Sequence, residues 1–468
     1  MKCEPSTVNP LFPGSRAISP LDGRYRAKTG GLAKYFSESA LMRARCDIEL
    51  HYLRALDETG LFPALTDEES SRIRQAMSSF TDHDFARIKE IERQINHDVK
   101  ACEVFLRERL DLATPGMIHF GLTSEDVNNL AYSRLLSRFC SGDLLPLLVS
   151  LIRALCGRVI QWRDIAFPAR THGQKASPST LGKEMAVFVD RLLRQHGALA
   201  SMRFRGKFGG ATGTGAAWRA AFPEFDWLAF SSTFVEALGM EPALATTQIE
   251  GHDEWAGFFA AVSRVNGIVR DLDIDIWLYE TLGYLGECVK GAEVGSSTMP
   301  HKVNPIRFEN SEGNLHMADA LLAMLSRELT HSRLQRDLSG STLMRNMGVA
   351  LTHTYLAWQQ TREGLDRLEV RQARCAKDLD ESIELLAEPL QSILRAEGMT
   401  DAYDTVRLFV RGRGIDQRDL EEFIQSLPVP ERVKARLRNL RPGLYTGYAG
   451  EVCDRVLAAA NEVIGEVT

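Results

Sequence analysis

The sequence predicts an all-α protein built around a bundle of long helices, and two observations support this fold class. Proline is absent from two long stretches, Ala243–Met299 and Ile306–Glu388, and this leaves room for uninterrupted helices. Apolar residues also recur at helical spacing, and the first such series is Leu144, Leu148, Leu151, Leu155 and Val159. A second series runs from Phe258 to Ile276. Strand-like alternation is scarce, so the pattern favours helix packing.

The chain length predicts more than one domain, because 468 residues exceed the usual size of a single domain. A short segment at 111–116 is rich in residues that break helices. Near residue 366, long apolar helices give way to shorter, charge-rich ones. These breaks predict domains over residues 1–114, 115–365 and 366–468, with a loose lead-in at residues 1–16.

Composition excludes several classes of function. A net charge of −6 argues against nucleic-acid binding through bulk electrostatics. No segment reaches the roughly 18 uninterrupted apolar residues of a membrane span. The eight single cysteines favour a reducing cytoplasm. The first residues lack the cationic-then-apolar pattern of a secretion signal, so a cytoplasmic location is predicted. The histidines and cysteines lack zinc-like spacing, so no metal site is predicted.

The segment Gly295–Pro305, GSSTMPHKVNP, is the strongest candidate for a catalytic loop. Asn304 is a suitable helix N-cap, and Pro305 fits the first helical position. Lys302 would then lie beside the positive end of a helix dipole, where a carboxylate binds well. The two serines that precede it have no evident structural purpose.

Two other helix starts carry polar side chains. One is the capping-box-like entry Thr123-Ser124-Glu125-Asp126. The other is the segment 171–180, in which Ser177 would cap a helix and Pro178 would lie in its first turn. Each alone is explained by simple capping, whereas convergence of all three would suit a ligand with several anionic groups.

His172 is the best acid–base candidate, because it lies in a loop of small residues and not on an apolar helical face. A structural role is its alternative. His97 has the carboxylate of Asp98 beside it. The glycine-rich run 209–215 is interpreted as a turn or close-approach loop, with phosphate cradling as the weaker alternative.

Arginines beside hydroxyl groups indicate a phosphate monoester as the ligand. Arg336 and Arg345 flank Ser341, and a second cluster, Arg24-Tyr25, lies far away in sequence. Solvated surface charges are the alternative interpretation.

The loop GSSTMPHKVNP resembles the signature of the fumarase/aspartase superfamily, whose members eliminate fumarate from a succinyl-bearing substrate. Other segments, spread over nearly the whole chain, resemble the adenylosuccinate lyase family specifically. These are SPLDGRY at 19–25, NHDVK at 96–100, TSEDVNN at 123–129, THGQ at 171–174, TTQIE at 246–250, IRFENSEGN at 306–314 and QRDLSGSTLMRN at 335–346.

The resemblance implies a three-domain all-α subunit whose central long helices assemble into a homotetramer, with each active site shared between subunits. The substrates would be small nucleotides. Fumarate would be released from adenylosuccinate to give AMP, and from SAICAR to give AICAR, in purine nucleotide biosynthesis. No cofactor is implied.

The resemblance also implies a role for each matching residue. Ser296 would be the base that removes a carbon-bound proton, and His172 would protonate the departing nitrogen. The implied substrate-binding residues are Lys302 and Asn304 for the carboxylate, Thr123, Ser124 and Gln248 for the succinyl group, Arg24, Tyr25, Arg336, Ser341 and Arg345 for the phosphate, and Asn96, His97, Asp98 and Asn310 for the nucleotide.

Two departures from the family pattern leave alternatives open. Lys175 stands where relatives usually have proline, and it would lower the pKa of His172 if the two side chains were close. Residues 214–218 read TGAAW, where relatives carry a polar Asn-aromatic-Asn-Ala-His pattern. A lyase for another succinyl-amine is therefore one alternative, and a non-catalytic scaffold is the other.

Overall fold

The computed structural model describes residues 17–288, 298–299, 301–412 and 414–466. Within these ranges the chain forms twenty-one α-helices and six short strands, so the predicted all-α class is confirmed. The helices of the first half are α1 (Arg26–Thr29), α2 (Ala33–Phe36), α3 (Glu38–Asp57), α4 (Asp67–Ser78), α5 (Asp82–Ile95), α6 (Asp98–Leu110), α7 (Ser124–Phe139), α8 (Leu145–Trp162), α9 (Leu181–Ala200), α10 (Ala216–Ala221) and α11 (Trp227–Ala237).

The helices of the second half are α12 (Asp253–Thr281), α13 (Ile306–Glu328), α14 (Ser339–Met344), α15 (Met347–Leu365), α16 (Gln372–Asp380), α17 (Ala387–Ala396), α18 (Ala402–Val410), α19 (Gln417–Ser426), α20 (Glu431–Arg438) and α21 (Ala449–Ile464). Short 3₁₀ turns cover Gly30–Leu32, Pro115–Met117, Ile383–Leu386 and Pro442–Leu444, and a π-helical turn, Cys140–Leu144, joins α7 to α8.

The six strands form three two-stranded sheets. The antiparallel pairs are β1 (Ala166–Thr171) with β2 (Gln174–Thr180), and β5 (Leu285–Glu287) with β6 (Leu368–Val370). The parallel pair is β3 (Arg205–Gly206) with β4 (Glu241–Pro242).

The long helices lie where the prolines are missing. Helix α12 falls within the first proline-free stretch, and α13 and α15 fall within the second. The apolar series that begins at Leu144 is completely buried, and Phe258 and Ile276 at the two ends of the second series are also buried. Periodicity therefore identified these core-facing sides correctly.

In the part of the chain that the structure describes, one helical stretch, Ser124–Trp162, is long and apolar enough to cross a membrane. Its most apolar 18-residue window has a mean hydropathy of 1.6, and half of that window is buried inside the protein. A buried core helix meets the same criteria of length and composition, so this stretch alone is weak evidence for a membrane span.

Contacts divide the chain into two compact units, and the division falls within five helices. Unit 1 comprises residues 1–147, 195–267 and 313–357, and unit 2 comprises residues 148–194, 268–312 and 358–468. This grouping differs from three consecutive domains, whose boundaries at residues 114 and 365 stay a prediction.

Unit 1 contains a large apolar core in which Trp218 is a central member. Trp218 is 1% exposed, stacks on Trp227 with ring centroids 5.3 Å apart, and donates its indole N–H to the Phe120 carbonyl at 2.9 Å. Gly121 passes directly over this indole with a φ of +69°. An added Cβ would lie 2.1 Å from the Trp218 ring, so only glycine fits there. The unusual segment 214–218 thus ends in a core residue.

Unit 2 contains a separate apolar core formed by the C-terminal helices, with Leu386, Leu394, Ile424 and Leu437 almost fully buried. It also contains the β1–β2 hairpin. The predicted helix start at Ser177 is wrong, because both Ser177 and Pro178 lie in strand β2. Helix α9 begins only at Leu181, where Thr180 Oγ1 accepts the Lys183 N–H at 3.2 Å.

The start of α13 also differs from the prediction, by one residue. The helix begins at Ile306, and the Pro305 carbonyl accepts the amides of Phe308 and Glu309 at 3.1 and 3.2 Å. Pro305 therefore occupies the N-cap position, and Asn304 precedes it. Helix ends are defined to within a residue or two, so the placement of a loop directly before a helix stands.

Candidate active site

A cleft of about 470 Å³ in unit 1 gathers residues from three of the predicted motifs. Its lining comprises Arg45, Glu92, Asn96, His97, Asp98, Val99, Ser124, Asn128, Tyr132, Arg336, Leu338, Ser341, Thr342, Met344 and Arg345. The starts of α6 and α7 contribute to one cleft together with α14 and the residues before it. Seven of the predicted site residues are therefore brought together: Asn96, His97, Asp98, Ser124, Arg336, Ser341 and Arg345.

Asp98 is held in this cleft by arginines. Its Oδ2 lies 2.9 Å from Nη2 of Arg45, whose side chain is only 3% exposed, and 3.7 Å from Nη2 of Arg345. Arg45 also donates from Nε to Asn128 Oδ1 at 2.9 Å, which fixes its guanidinium between α6 and α7. Burial is the largest single influence on Asp98 and opposes its ionisation. The positive charges of Arg45 and Arg345 and the hydrogen bonds from Arg45 and the Val99 amide together outweigh it, so the pKa of Asp98 lies below its usual value. Asp98 is thus a fixed anion in a cationic setting.

A second chain of contacts begins at Glu125, in the first turn of α7. Its Oε2 lies 3.1 Å from Nη2 of Arg336, and Arg336 donates from Nη1 to Gln248 Oε1 at 3.2 Å. Gln248 in turn donates to the Ala211 carbonyl at 3.0 Å. Gln248 is therefore joined to the cleft through Arg336. Burial raises the pKa of Glu125, against the opposing charge of Arg336.

The start of α7 is as predicted, and it anchors the glycine-rich loop. The Thr123 backbone N–H donates to Asp126 Oδ2 at 2.7 Å, which is the capping contact expected from the sequence. Asp126 Oδ1 accepts the amides of Gly209 and Gly210 at 2.9 and 3.2 Å, and the ammonium of Lys207 at 2.7 Å. These loop amides are occupied by a carboxylate, so the close-approach interpretation holds and phosphate cradling by them does not.

Arg24 and Tyr25 are not among the residues that line this cleft. They lie in a turn where the Tyr25 amide donates to the Pro20 carbonyl at 2.9 Å, and the Arg24 guanidinium is 6.0 Å from the Tyr25 ring centre. Their predicted contact with phosphate stays a prediction.

In unit 2, His172 lies at the tip of the β1–β2 hairpin. His172 and Gly173 have φ values of +54° and +76°, which is the backbone of a type I′ two-residue turn. Arg170 braces the turn by donating to the Gly173 carbonyl at 2.9 Å. The His172 side chain is exposed at this tip. The turn therefore presents an imidazole to its surroundings from a rigid support.

Lys175 is engaged away from the turn. Its ammonium donates to Ser382 Oγ at 2.7 Å and to the Asp378 carbonyl at 3.3 Å. The departure from the family pattern at this position thus ties the hairpin to the C-terminal helices of unit 2.

The signature loop is only partly described, and Ser296 lies outside the described residues. Lys302 is exposed and donates its backbone N–H to the Met299 carbonyl at 3.1 Å. Asn304 lies two residues before Ile306, the first residue of α13, and Asn310 lies in the second turn of that helix. These positions agree with a loop leading into a helix start.

The chain matches the lyase family over residues 23–318 and the adenylosuccinate lyase C-terminal family over residues 332–446. It is 42% identical over 448 residues to the adenylosuccinate lyase of Haemophilus influenzae, covering 94% of this chain and 98% of that protein. The adenylosuccinate lyase of Escherichia coli strain K12 shows the same identity and coverage. That of Dictyostelium discoideum is 40% identical over 461 residues, covering 94% of this chain and 98% of its own.

The chain belongs to the adenylosuccinate lyase family. It is therefore a C–N lyase of the fumarase/aspartase superfamily, as the sequence motifs predicted.

Solved structures support the fold of this adenylosuccinate lyase family member. A fumarate lyase from Mesorhizobium sp. BNC1 superposes with a TM-score of 0.77 at 20% identity, covering 92% of this chain and 97% of that one. The 3-carboxy-cis,cis-muconate lactonizing enzyme from Pseudomonas putida gives 0.75 at 21%, covering 94% and 99%. At such identities the likeness concerns the fold alone.

Sequence reasoning missed two residues that organise the cleft of this adenylosuccinate lyase family member, Arg45 and Asn128. Both are buried within helices whose neighbouring residues form the apolar core. Each is a polar residue at a helical position that faces the core, and this is a signal that the sequence does contain. Such side chains are buried only when they have polar partners, so their position indicates a buried polar contact.

Proposed function

We propose that this chain catalyses the β-elimination of fumarate from adenylosuccinate, giving AMP, and from SAICAR, giving AICAR. The observation that carries the proposal is the convergence of the NHDVK, TSEDVNN and QRDLSGS segments on one cleft. This cleft combines Arg336 and Arg345 with the hydroxyl groups of Ser124 and Ser341, a set that suits a phosphate monoester. The adenylosuccinate lyases at about 40% identity over nearly their full length support the same function.

The proposed chemistry divides between a base and an acid. Ser296 takes the proton from the carbon next to a carboxylate, and the electron pair left behind forms the double bond of fumarate. As the C–N bond breaks, His172 gives a proton to the departing nitrogen. Lys302 and Asn304 hold the carboxylate whose charge grows in the carbanion, which makes the first step easier.

The remaining residues bind the substrate. We assign Arg24, Tyr25, Arg336, Ser341 and Arg345 to the phosphate, Thr123, Ser124 and Gln248 to the succinyl group, and Asn96, His97, Asp98 and Asn310 to the nucleotide. Two contacts support these assignments. Arg45 holds Asp98 in place, and Gln248 holds Arg336, so the side chains of Asp98 and Arg336 are already oriented before substrate binds. No step of this chemistry calls for a cofactor.

A lyase for a different succinyl-amine is not favoured. The motive for that alternative was the unusual segment 214–218, yet Trp218 packs into the core of unit 1 and hydrogen-bonds Phe120. The presence of Trp218, where relatives carry histidine, is therefore explained by core packing and does not require a different substrate.

The experiment that tests the function is turnover of adenylosuccinate by the purified enzyme, followed as fumarate release by ultraviolet absorbance. We expect Ser296→Ala to lower kcat by about 10²- to 10⁴-fold, the usual contribution of a positioned base, with KM nearly unchanged. No turnover by the wild type at high enzyme concentration would refute the proposed function. Near-normal kcat in Ser296→Ala would refute only the choice of base.

We also propose a cytoplasmic homotetramer with active sites shared between subunits. The support is a set of large apolar side chains left exposed on α8, α12 and α13: Ile160, Trp277, Leu278 and Met317, which are 43–54% exposed. We expect sedimentation velocity to give the mass of four chains, and Trp277→Glu to shift it toward smaller species. A wild-type monomer at micromolar concentration would contradict the proposal.

A further inference from the structure

Directly behind Arg336 lies a buried carboxylate that uses only one of its oxygens. Glu125 is 1% exposed, and its Oε2 lies 3.1 Å from Arg336 Nη2 and accepts the amide of Asn128 at 3.4 Å. Its Oε1 is buried and has no hydrogen-bond partner among the described residues. A buried acceptor left without a partner is costly, so the ionised form of Glu125 is only half satisfied here.

His252 presents the complementary atom. It is 4% exposed, stacks on Trp255 at 4.3 Å, and its Nδ1 lies 3.2 Å from the Leu329 carbonyl. A carbonyl only accepts, so Nδ1 carries the ring proton and Nε2 is an acceptor in the neutral imidazole. Nε2 is also buried without a partner among the described residues. Burial lowers the pKa of His252, which favours this neutral form.

Glu125 and His252 line the same small cavity, whose volume is about 20 Å³. A cavity of this size can hold one water molecule, which is enough to bridge two polar atoms. The other charged or titratable groups around Glu125 are Arg336, His331 and Asp337, which line the cavity, and Lys207, whose positive charge lies nearby. A protonated Glu125 therefore has an acceptor available in His252.

Binding of phosphate would shift Glu125 from its ionised form toward its protonated form. Arg336 is shared between Glu125 and the cleft, so a phosphate group on Arg336 competes with the carboxylate for the same guanidinium. Two anions on one cation repel each other, and the repulsion favours protonation of the buried one.

We propose that Glu125 is a proton-linked positioning residue: as a carboxylate it holds Arg336 in the empty cleft, and when substrate phosphate engages Arg336 it takes up a proton from solvent and shares it with His252. This inference rests on the proposed function, in which Arg336 binds phosphate. The inference predicts in addition that, when a phosphate-bearing ligand binds, Glu125 takes up at most one proton per site.

AMP, the nucleotide product, is the probe for the test. Calorimetric titration of the enzyme at pH 7 in two buffers of different ionisation enthalpy gives the protons taken up per AMP bound. Glu125→Gln keeps an acceptor for Arg336 and a donor for His252 but cannot titrate. We expect it to bind AMP within about threefold of the wild type or more tightly, and to lose the part of the proton uptake that belongs to Glu125. Glu125→Ala, which cannot hold Arg336, should weaken AMP binding about tenfold.

Glu103→Gln is the matched control, because Glu103 is also buried and paired with an arginine, Arg107, at 2.9 Å. It should leave both the AMP affinity and the proton uptake unchanged. If Glu125→Gln fails to fold, the wild type alone decides: AMP binding should add a protonated carboxyl band to its infrared difference spectrum, and absence of that band would refute the inference.

Equal proton uptake by the wild type and Glu125→Gln would overturn the inference while leaving turnover of adenylosuccinate, and so the proposed function, intact. Failure of the wild type both to bind AMP and to release fumarate would overturn the two together.

Discussion

Asp126→Ala should destabilise the protein by about 3–5 kcal/mol, the usual cost of leaving one member of a buried ion pair alone. Asp126 and Lys207 are both fully buried, and their charged atoms are 2.7 Å apart. Among the described residues, removing the carboxylate leaves the buried ammonium with the Gly210 carbonyl as its remaining hydrogen-bond acceptor. It also frees the amides of Gly209 and Gly210. The free energy of unfolding from urea titration measures the loss.

The pH dependence of this loss has a defined sign. Burial lowers the pKa of Lys207, while Asp126 opposes that effect in the wild type. In Asp126→Ala the folded-state pKa of Lys207 falls further below its unfolded value, so the unfolded state binds more protons between the two values. Stability of the variant therefore rises with pH in that window, and the gap to the wild type narrows toward alkaline pH.

A double replacement separates charge from packing. Asp126→Leu combined with Lys207→Met removes both charges together, and it should recover a large part of the stability lost in Asp126→Ala. If the double variant is as unstable as the single one, the loss arises from the glycine loop amides and not from the unpaired ammonium.

The long helices were accessible from sequence because their signals are local. Missing prolines and apolar spacing act over one helix, and α12, α13 and α15 follow them closely. The hairpin at 166–180 was not accessible in this way. Its turn uses His172 where asparagine or glycine is the common choice, and Ser177 and Pro178 imitate a helix start.

The residues of the candidate site also fall into two groups, those identified by local motifs and those whose contacts depend on the fold. Motifs identified Asp98, Ser124, Arg336 and Arg345, and the structure gathers them around one cleft. Arg45 was missed because its partners Asp98 and Asn128 are 53 and 83 positions away, and only folding brings such groups together. Likewise, the sequence suggested that a polar contact is lost at Trp218, where relatives carry histidine. The structure instead shows the Trp218 indole packed against Gly121. In this chain the sequence motifs identified groups that line the cleft, whereas the residues that hold those groups in place depend on tertiary packing.

His172→Asn should lower kcat about 10²- to 10⁴-fold with little change in KM, because loss of a positioned acid removes an interaction made only in the transition state. Asparagine is the most suitable replacement, because it removes the imidazole without straining the turn. It tolerates the left-handed backbone that His172 adopts, with φ of +54°. The Arg170 contact to the Gly173 carbonyl should keep the turn in place. Alanine is less suitable, because its left-handed conformation adds about 1–2 kcal/mol of strain.

The measurement is steady-state fumarate release by His172→Asn beside His83→Asn, in which an exposed histidine of α5 is exchanged in the same way. The control should keep the kcat of the wild type, and thermal unfolding should show that both variants remain folded. A His172→Asn variant that retained more than about a tenth of the wild-type kcat would assign proton donation to another group. A rise in KM with unchanged kcat would instead make His172 a binding residue, because uniform binding raises KM alone when lost. The hairpin tip therefore allows acid catalysis and substrate binding to be separated in one variant.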